Sequence, residues 1–139
     1  MGIYYMKWIM YSDGASRGNP GESGAGAFLV SEKGEEIGLV KYLGIRTNNQ
    51  AEYEGLILGL EKLKALGARK VEVRADSELM IRQLQGKYRV KNPDLQVLFV
   101  KAGALLKYFD EVSLRHVPRE QNKEADRLSN EAIDFHQFV

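Results

Sequence analysis

KWIMYSDGASRGNPGESGAGAFLV (residues 7–30), continuing through SEKGEE (31–36) to IGLVKYL (37–43), decides the fold. Lys7–Ser12 is rich in apolar and aromatic residues and predicts a strand, which gives way to a glycine-rich loop over Asp13–Gly21. Ala25–Val30 and Ile37–Leu43 predict a second and a third strand. Gly34 between them tolerates positive φ, so the two form a hairpin. Three consecutive strands at the start are therefore antiparallel.

Beyond them, Leu56, Leu60 and Leu63 fall at i, i+4 and i+7 and predict a helix that Gly67 stops. Lys70–Ala75 (KVEVRA) alternates as a strand, with Val71, Val73 and Ala75 on one face. Ser77–Gln85 suits a short helix opened by a serine cap and closed before Gly86. Asn92-Pro93 opens another helix to about Lys107, with proline at the first helical position. Glu111–His116 alternates again, and Gln121–Phe135 predicts a last helix. The order βββαβααβα gives an α/β fold: a five-stranded mixed sheet, its first three strands antiparallel and its later strands parallel by crossover, flanked by helices.

The 139 residues suit a single domain, 1–139, and no repeat or linker divides them. With 44% hydrophobic and 28% charged residues the chain is neither a disordered tail nor a membrane protein. The opening MGIYYMKWIM is interrupted by Lys7 and reads as strand rather than as a signal peptide. The absence of cysteine removes disulfides, thiolate zinc sites and cysteine nucleophiles, and fits a cytoplasmic location. A net charge of +1 does not indicate a polyanion partner held by bulk charge.

Most acidic residues read as solvated faces of helices and turns. Four stand elsewhere. Asp13 follows a strand and precedes Gly14, which is also where a turn-initiating aspartate stands. Asp76 ends a strand before Ser77, a position that a cap or turn role explains equally. Glu52 lies three residues after Asn49, as the acidic partner of a capping box does, yet it also lies four residues before Leu56 on the buried stripe. Asp126 sits on the last helix, where an ordinary exposed aspartate is the alternative. In open α/β sheets ligands gather at the carboxyl ends of strands. Carboxylates gathered there repel unless a cation cancels their charge, and oxygen-only ligands favour hard ions such as Mg²⁺ or Mn²⁺.

Four stretches, SDGASRGNPG (12–21), TNNQAEYEGL (47–56), ADSELMIRQL (75–84) and HVPREQNKEADRLSN (116–130), occur in the order and spacing of type 1 ribonucleases H, which the chain resembles from about Trp8 to Ser129. The resemblance implies two Mg²⁺ ions, with Mn²⁺ as an alternative, held by Asp13, Glu52, Asp76 and Asp126. It also implies cleavage of the RNA strand of RNA–DNA hybrids to 3′-hydroxyl and 5′-phosphate ends. Carried onto this chain, Asp13 bridges both ions, Asp126 helps hold the ion that activates water, and Glu52 and Asp76 help hold the ion on the leaving oxygen.

By similarity, Gly14, Ser16, Arg17 and Asn19 touch the RNA strand, where a 2′-hydroxyl distinguishes RNA from DNA. Thr47, Asn48 and Asn49 resemble the segment that grips the DNA strand, with Gln50 and Glu78 at neighbouring positions; Glu78 departs from the glutamine common in bacterial members. Two residues are candidates for assisting turnover. His116 precedes Asp126 by ten residues, as a histidine does in many members. Arg119 lies in the VPREQN loop, similar to a subgroup that uses arginine there and cannot titrate. His136 reads as incidental. Lys87-Tyr88-Arg89-Val90-Lys91 is a solvated loop where other members carry a longer basic insertion. The resemblance implies a monomer acting on RNA–DNA hybrid. The alternatives are an enzyme that also cuts double-stranded RNA and a non-catalytic hybrid-binding module.

Overall fold

The structure is a computed structural model, which describes residues 5–136. The opening residues 1–4, and Phe138 and Val139 of the apolar tail, lie outside the described residues. The elements are β1 (Lys7–Gly18), β2 (Gly21–Ser31), β3 (Glu36–Arg46), α1 (Asn48–Ala65), β4 (Lys70–Ala75), α2 (Glu78–Leu84), α3 (Pro93–Leu106), β5 (Glu111–His116) and α4 (Lys123–His136), with a 3₁₀ turn at Arg119–Gln121 before α4. The sheet order is β3-β2-β1-β4-β5; β1–β2 and β2–β3 are antiparallel, β1–β4 and β4–β5 parallel. The expected mixed sheet and element order both hold.

Three local expectations are corrected. The glycine-rich stretch Asp13–Gly21 is not a loop. β1 and β2 stay paired from Trp8↔Ser31 to Gly18↔Gly21, and only Asn19-Pro20, joined by a cis peptide bond, turns the chain. Asp13 is thus a mid-strand residue opposite Gly26, not a turn initiator. Second, α1 is capped by Thr47: its hydroxyl accepts the Gln50 N–H and the Gln50 side chain accepts the Thr47 N–H at 2.9 Å. That leaves Glu52 outside the capping box. Third, α4 starts two residues later than Gln121, which belongs to the 3₁₀ turn.

α1 and α4 press on opposite faces of the β1–β2 ribbon. Met10 of β1 and Ala27 of β2 meet Gly59 of α1, whereas Gly26, the next residue along, meets Ser129 and Ala125 of α4. Successive strand residues face opposite sides, so one ribbon serves two helices. The main core lies on the α1 side: Trp8, Met10, Leu29, Val71 and Val73 pack under Leu56, Leu60 and Leu63, with Leu95 and Ala102 of α3 closing it. Leu60 is fully buried, so truncation to alanine costs about 2–5 kcal/mol. Inside this core Tyr53 donates to the Gln83 side chain at 2.7 Å, tying α1 to α2.

The far end of α4 is fastened to the sheet. His136 stacks on Tyr42 of β3 with ring centroids 3.5 Å apart, and Arg17 pairs with Asp134 at 2.7 Å. His136 is therefore a packing residue, not an incidental one. Phe135 beside it stays 61% exposed, so this tail aromatic is not docked on the core. No helix among the described residues is long and apolar enough to cross a membrane.

Candidate active site

β4 ends at Ala75, opposite Ser12, while β1 runs on to Gly18. That step leaves a notch at the carboxyl ends of the two parallel strands, with Asp13 on one side and Asp76 on the other. Glu52 enters from α1. A Cβ on Gly14 would overlap the Ala51 carbonyl and the Glu52 N atom, so the bare backbone at Gly14 is what lets the first turns of α1 lie against β1. Gly14 also lines the cavity. Asp126 arrives from the other face, on the first turn of α4.

One oxygen from each of Asp13, Glu52 and Asp76 lies within 4.8 Å of the others. Asp126 is outside that tight group but lines the same cavity of about 520 Å³, and its charge pushes up both Asp13 and Asp76. Among the described residues, the cavity walls carry these four carboxylates against a single cation, Arg119.

Burial is the main reason that the Asp13 carboxyl is pushed up to about 7, with the Asp76 and Asp126 charges adding to it. Burial, then Asp13, holds Glu52 well above the ordinary range. The side-chain interaction with Glu52 favours the charged form of Asp13, while Asp13 favours the neutral form of Glu52. Burial and Asp126 likewise raise Asp76, against the Arg119 guanidinium and Asn122. Glu52 Oε2 is buried with no hydrogen-bond partner. An unpaired oxygen in a knot of mutually repelling carboxylates fits a hard divalent cation, which supplies the missing charge to oxygen ligands.

The other candidates divide between two depressions. Gly14, Ser16, Asn48, Asn49 and Arg119 line the carboxylate cavity. Asn19, Thr47 and Gln50 line an adjoining one of about 530 Å³, and Asn49 belongs to both. Asn19 Oδ1 accepts the Asn48 N–H at 3.1 Å, which fixes the β1–β2 turn to the start of α1. Three candidates stand apart from both depressions. Arg17 points to Asp134 and, at 3.5 Å, to Asn130. Glu78 forms an i,i+4 pair with Arg82 on α2. His116 is exposed at the end of β5, paired with Ala75, and does not line the cavity.

Two residues without an assigned role prove to belong here. Asn130 lines the cavity and donates to the Asp126 carbonyl at 3.0 Å. Asn122, 1% exposed, donates to the Ser12 carbonyl at 2.9 Å. Asn130 is four residues after Asp126, so helical spacing alone places them together; no comparable local signal marks Asn122.

Comparison with known proteins adds an independent line. The family described as "Reverse transcriptase-like" matches residues 11–132. The chain is 47% identical over 128 residues to the ribonuclease HI of Halobacterium salinarum, covering 89% of this chain and 63% of that protein. It is 44% identical over 131 residues to a bifunctional protein of Mycobacterium tuberculosis, covering 93% of this chain. The chain spans about a third (36%) of the length of that mycobacterial relative. Among solved structures, the Halobacterium RNase H1 superposes with a TM-score of 0.88 at 45% identity, covering 92% of this chain and 98% of that one. LC11-RNase H1, solved in complex with an RNA/DNA hybrid, gives 0.87 at 44% identity, covering 94% and 99%.

Proposed function

The chain belongs to the type 1 ribonuclease H family, and from that premise we propose that it hydrolyses the RNA strand of RNA–DNA hybrids, leaving 3′-hydroxyl and 5′-phosphate ends. The observation that carries the proposal is the convergence of Asp13, Glu52 and Asp76 within 4.8 Å, with Asp126 on the same cavity wall. Four carboxylates against one guanidinium repel a phosphodiester unless cations intervene. Asp13, Glu52, Asp76 and Asp126 are the residues that would hold two Mg²⁺ ions. Bound there, the ions would activate the attacking water and stabilise the leaving 3′ oxygen.

The remaining roles fall to the chain's own groups. Arg119, the one cation on the cavity wall among the described residues, orients the scissile phosphate with its planar guanidinium. Ser16, Asn48 and Asn49 offer donors and acceptors along the cavity rim for the hybrid backbone. Asn19, Thr47 and Gln50 line the adjoining depression, where the second strand of the hybrid would lie. The Thr47 and Gln50 side chains are already engaged in capping α1, so their contribution there is shape.

The test is a labelled RNA–DNA hybrid with Mg²⁺, run beside RNA–RNA and DNA–DNA duplexes, for the wild type and Asp13→Asn. Hybrid cleavage that Asp13→Asn abolishes is the expected result. Equal cleavage by the two proteins would remove the carboxylates from the mechanism. Binding of the hybrid with no cleavage in either Mg²⁺ or Mn²⁺ would leave a binding module.

A further inference from the structure

Asn122 stands at the junction of the 3₁₀ turn and α4, and is buried almost completely. It makes connections to three of the four elements that carry the carboxylates. Its backbone carbonyl accepts the Asp126 N–H at 3.1 Å, closing the first turn of α4. Its side-chain Nδ2 donates to the carbonyl of Ser12 at 2.9 Å, a contact between residues 110 apart in sequence. Ser12 is the residue before Asp13, and it pairs with Ala75, the residue before Asp76. A side-chain interaction with Asn122 also favours the charged form of Asp76.

The amide is not there for a saturated hydrogen-bond network. Asn122 Oδ1 is buried and has no hydrogen-bond partner among the described residues. An unpaired buried oxygen is unfavourable, and an apolar side chain of similar size would avoid it. What asparagine retains is the placement of its N–H, at the point where β1, the end of β4 and the start of α4 meet.

We propose that Asn122 is a positioning residue that sets the spacing of Asp13, Asp76 and Asp126 for cation binding. The proposal rests on the nuclease reading of the same site. It acts through the backbone carriers of the carboxylates and does not itself touch substrate. Groups that orient carboxylate ligands in this way affect metal affinity or activity by about 10–100-fold when removed.

The experiment compares wild type with Asn122→Ala, Asn122→Asp and Asn122→Ser by two readouts. The first is the Mg²⁺ concentration at the midpoint of Mg²⁺-induced thermal stabilisation, measured without substrate. The second is the split of kcat and KM on an RNA–DNA hybrid, at a temperature well below the melting point of each variant. The expected result for Asn122→Ala is a Mg²⁺ midpoint raised and a kcat lowered, each by about 10–100-fold, with KM little changed. Asn122→Asp keeps the side-chain volume, and Asn122→Ser, which keeps a short hydroxyl donor and buries no charge, reports even if neither of the other two folds. Asn122→Asp sets a carboxylate against the Ser12 carbonyl and Asp76, and its loss should be the greater. A lowered melting point with wild-type Mg²⁺ midpoint and wild-type kcat would overturn the proposal and leave a merely structural residue. A wild type inert toward the hybrid, with the midpoint still shifted in the variants, would overturn the nuclease reading and leave Asn122 in its role.

Discussion

Asp13 and Gly26 are partners across the β1–β2 ladder, and the bare backbone of Gly26 admits α4 to the sheet beside the Asp13 carboxylate. A methyl group on Gly26 would sit 2.5 Å from the Ser129 nitrogen and 2.6 Å from the Ala125 carbonyl oxygen, backbone atoms that cannot swing aside. Gly26→Ala should therefore lower stability by about 1–3 kcal/mol. It should also displace Asp126 and remove most hybrid cleavage. Urea denaturation and a cleavage assay check both; wild-type values in each would show that α4 does not depend on this close approach.

Cation binding should stabilise the fold, because it relieves carboxylate repulsion in the native state alone. Millimolar Mg²⁺ should raise the melting temperature of the wild type and raise that of Asp13→Asn much less. An equal shift in both proteins contradicts the site.

The pH dependence has a definite sign. In chelator the Asp13 carboxyl is held at about 7, above its ordinary 3.8, so the folded protein keeps a proton that the unfolded chain releases. That stabilisation is complete below the unfolded value and is lost as pH rises through about 7. The metal-free protein should lose stability across this window, and Mg²⁺ should restore more of it at about pH 8 than at about pH 5. Thermal melts at a series of pH values measure it; a metal effect independent of pH would refute the proton–cation exchange.

Arg119 lines the cavity and His116 does not. Arg119→Ala should lower kcat on the hybrid by roughly a hundredfold, and Arg119→Lys should recover only part, since an ammonium lacks the planar fork. His116→Ala should leave turnover near the wild-type value. The reverse pattern would hand the assisting role to the histidine.

Lys87–Lys91 (KYRVK) is short, and its path is set by the core: Val90 packs on it and the Arg89 carbonyl accepts the Gln83 amide at 3.4 Å. With few cations placed there, the salt dependence of hybrid binding should be shallower than in relatives carrying a longer basic insertion, because fewer counterions are released. Binding titrations over a salt series give the slope, and a slope equal to theirs would contradict the expectation.

Local signals made much of this fold readable from sequence. KVEVRA (70–75) and EVSLRH (111–116) alternate and form strands over the expected residues, and Asn92-Pro93 starts α3 as a cap and first-turn proline do. Residues 13–21 misled because glycine and serine locally signal a loop. Their strand character is imposed by pairing with β2 and by helices that need small residues beneath them. At the start of α1, both Asn49 with Glu52 and Thr47 with Gln50 satisfy capping-box spacing, and only the backbone shows that Thr47 is the cap. The meeting of Asp13, Glu52 and Asp76 has no signature in spacing; the family resemblance carried that expectation. Arg17, which the family motif presents as a substrate contact, is paired with Asp134, far along the chain, a partner that no local signal announces.

The stack of His136 on Tyr42 and the Arg17–Asp134 pair clasp the outer end of the rod whose inner end bears Asp126. Each clasp is weak by itself, one a single ring stack and the other a solvent-screened ion pair. Trimming the chain ahead of Asp134, or splicing a bulky fusion there, unfastens both at once. Engineering at that end of α4 would thus reach the carboxylate cavity by leverage, without altering any residue that lines it.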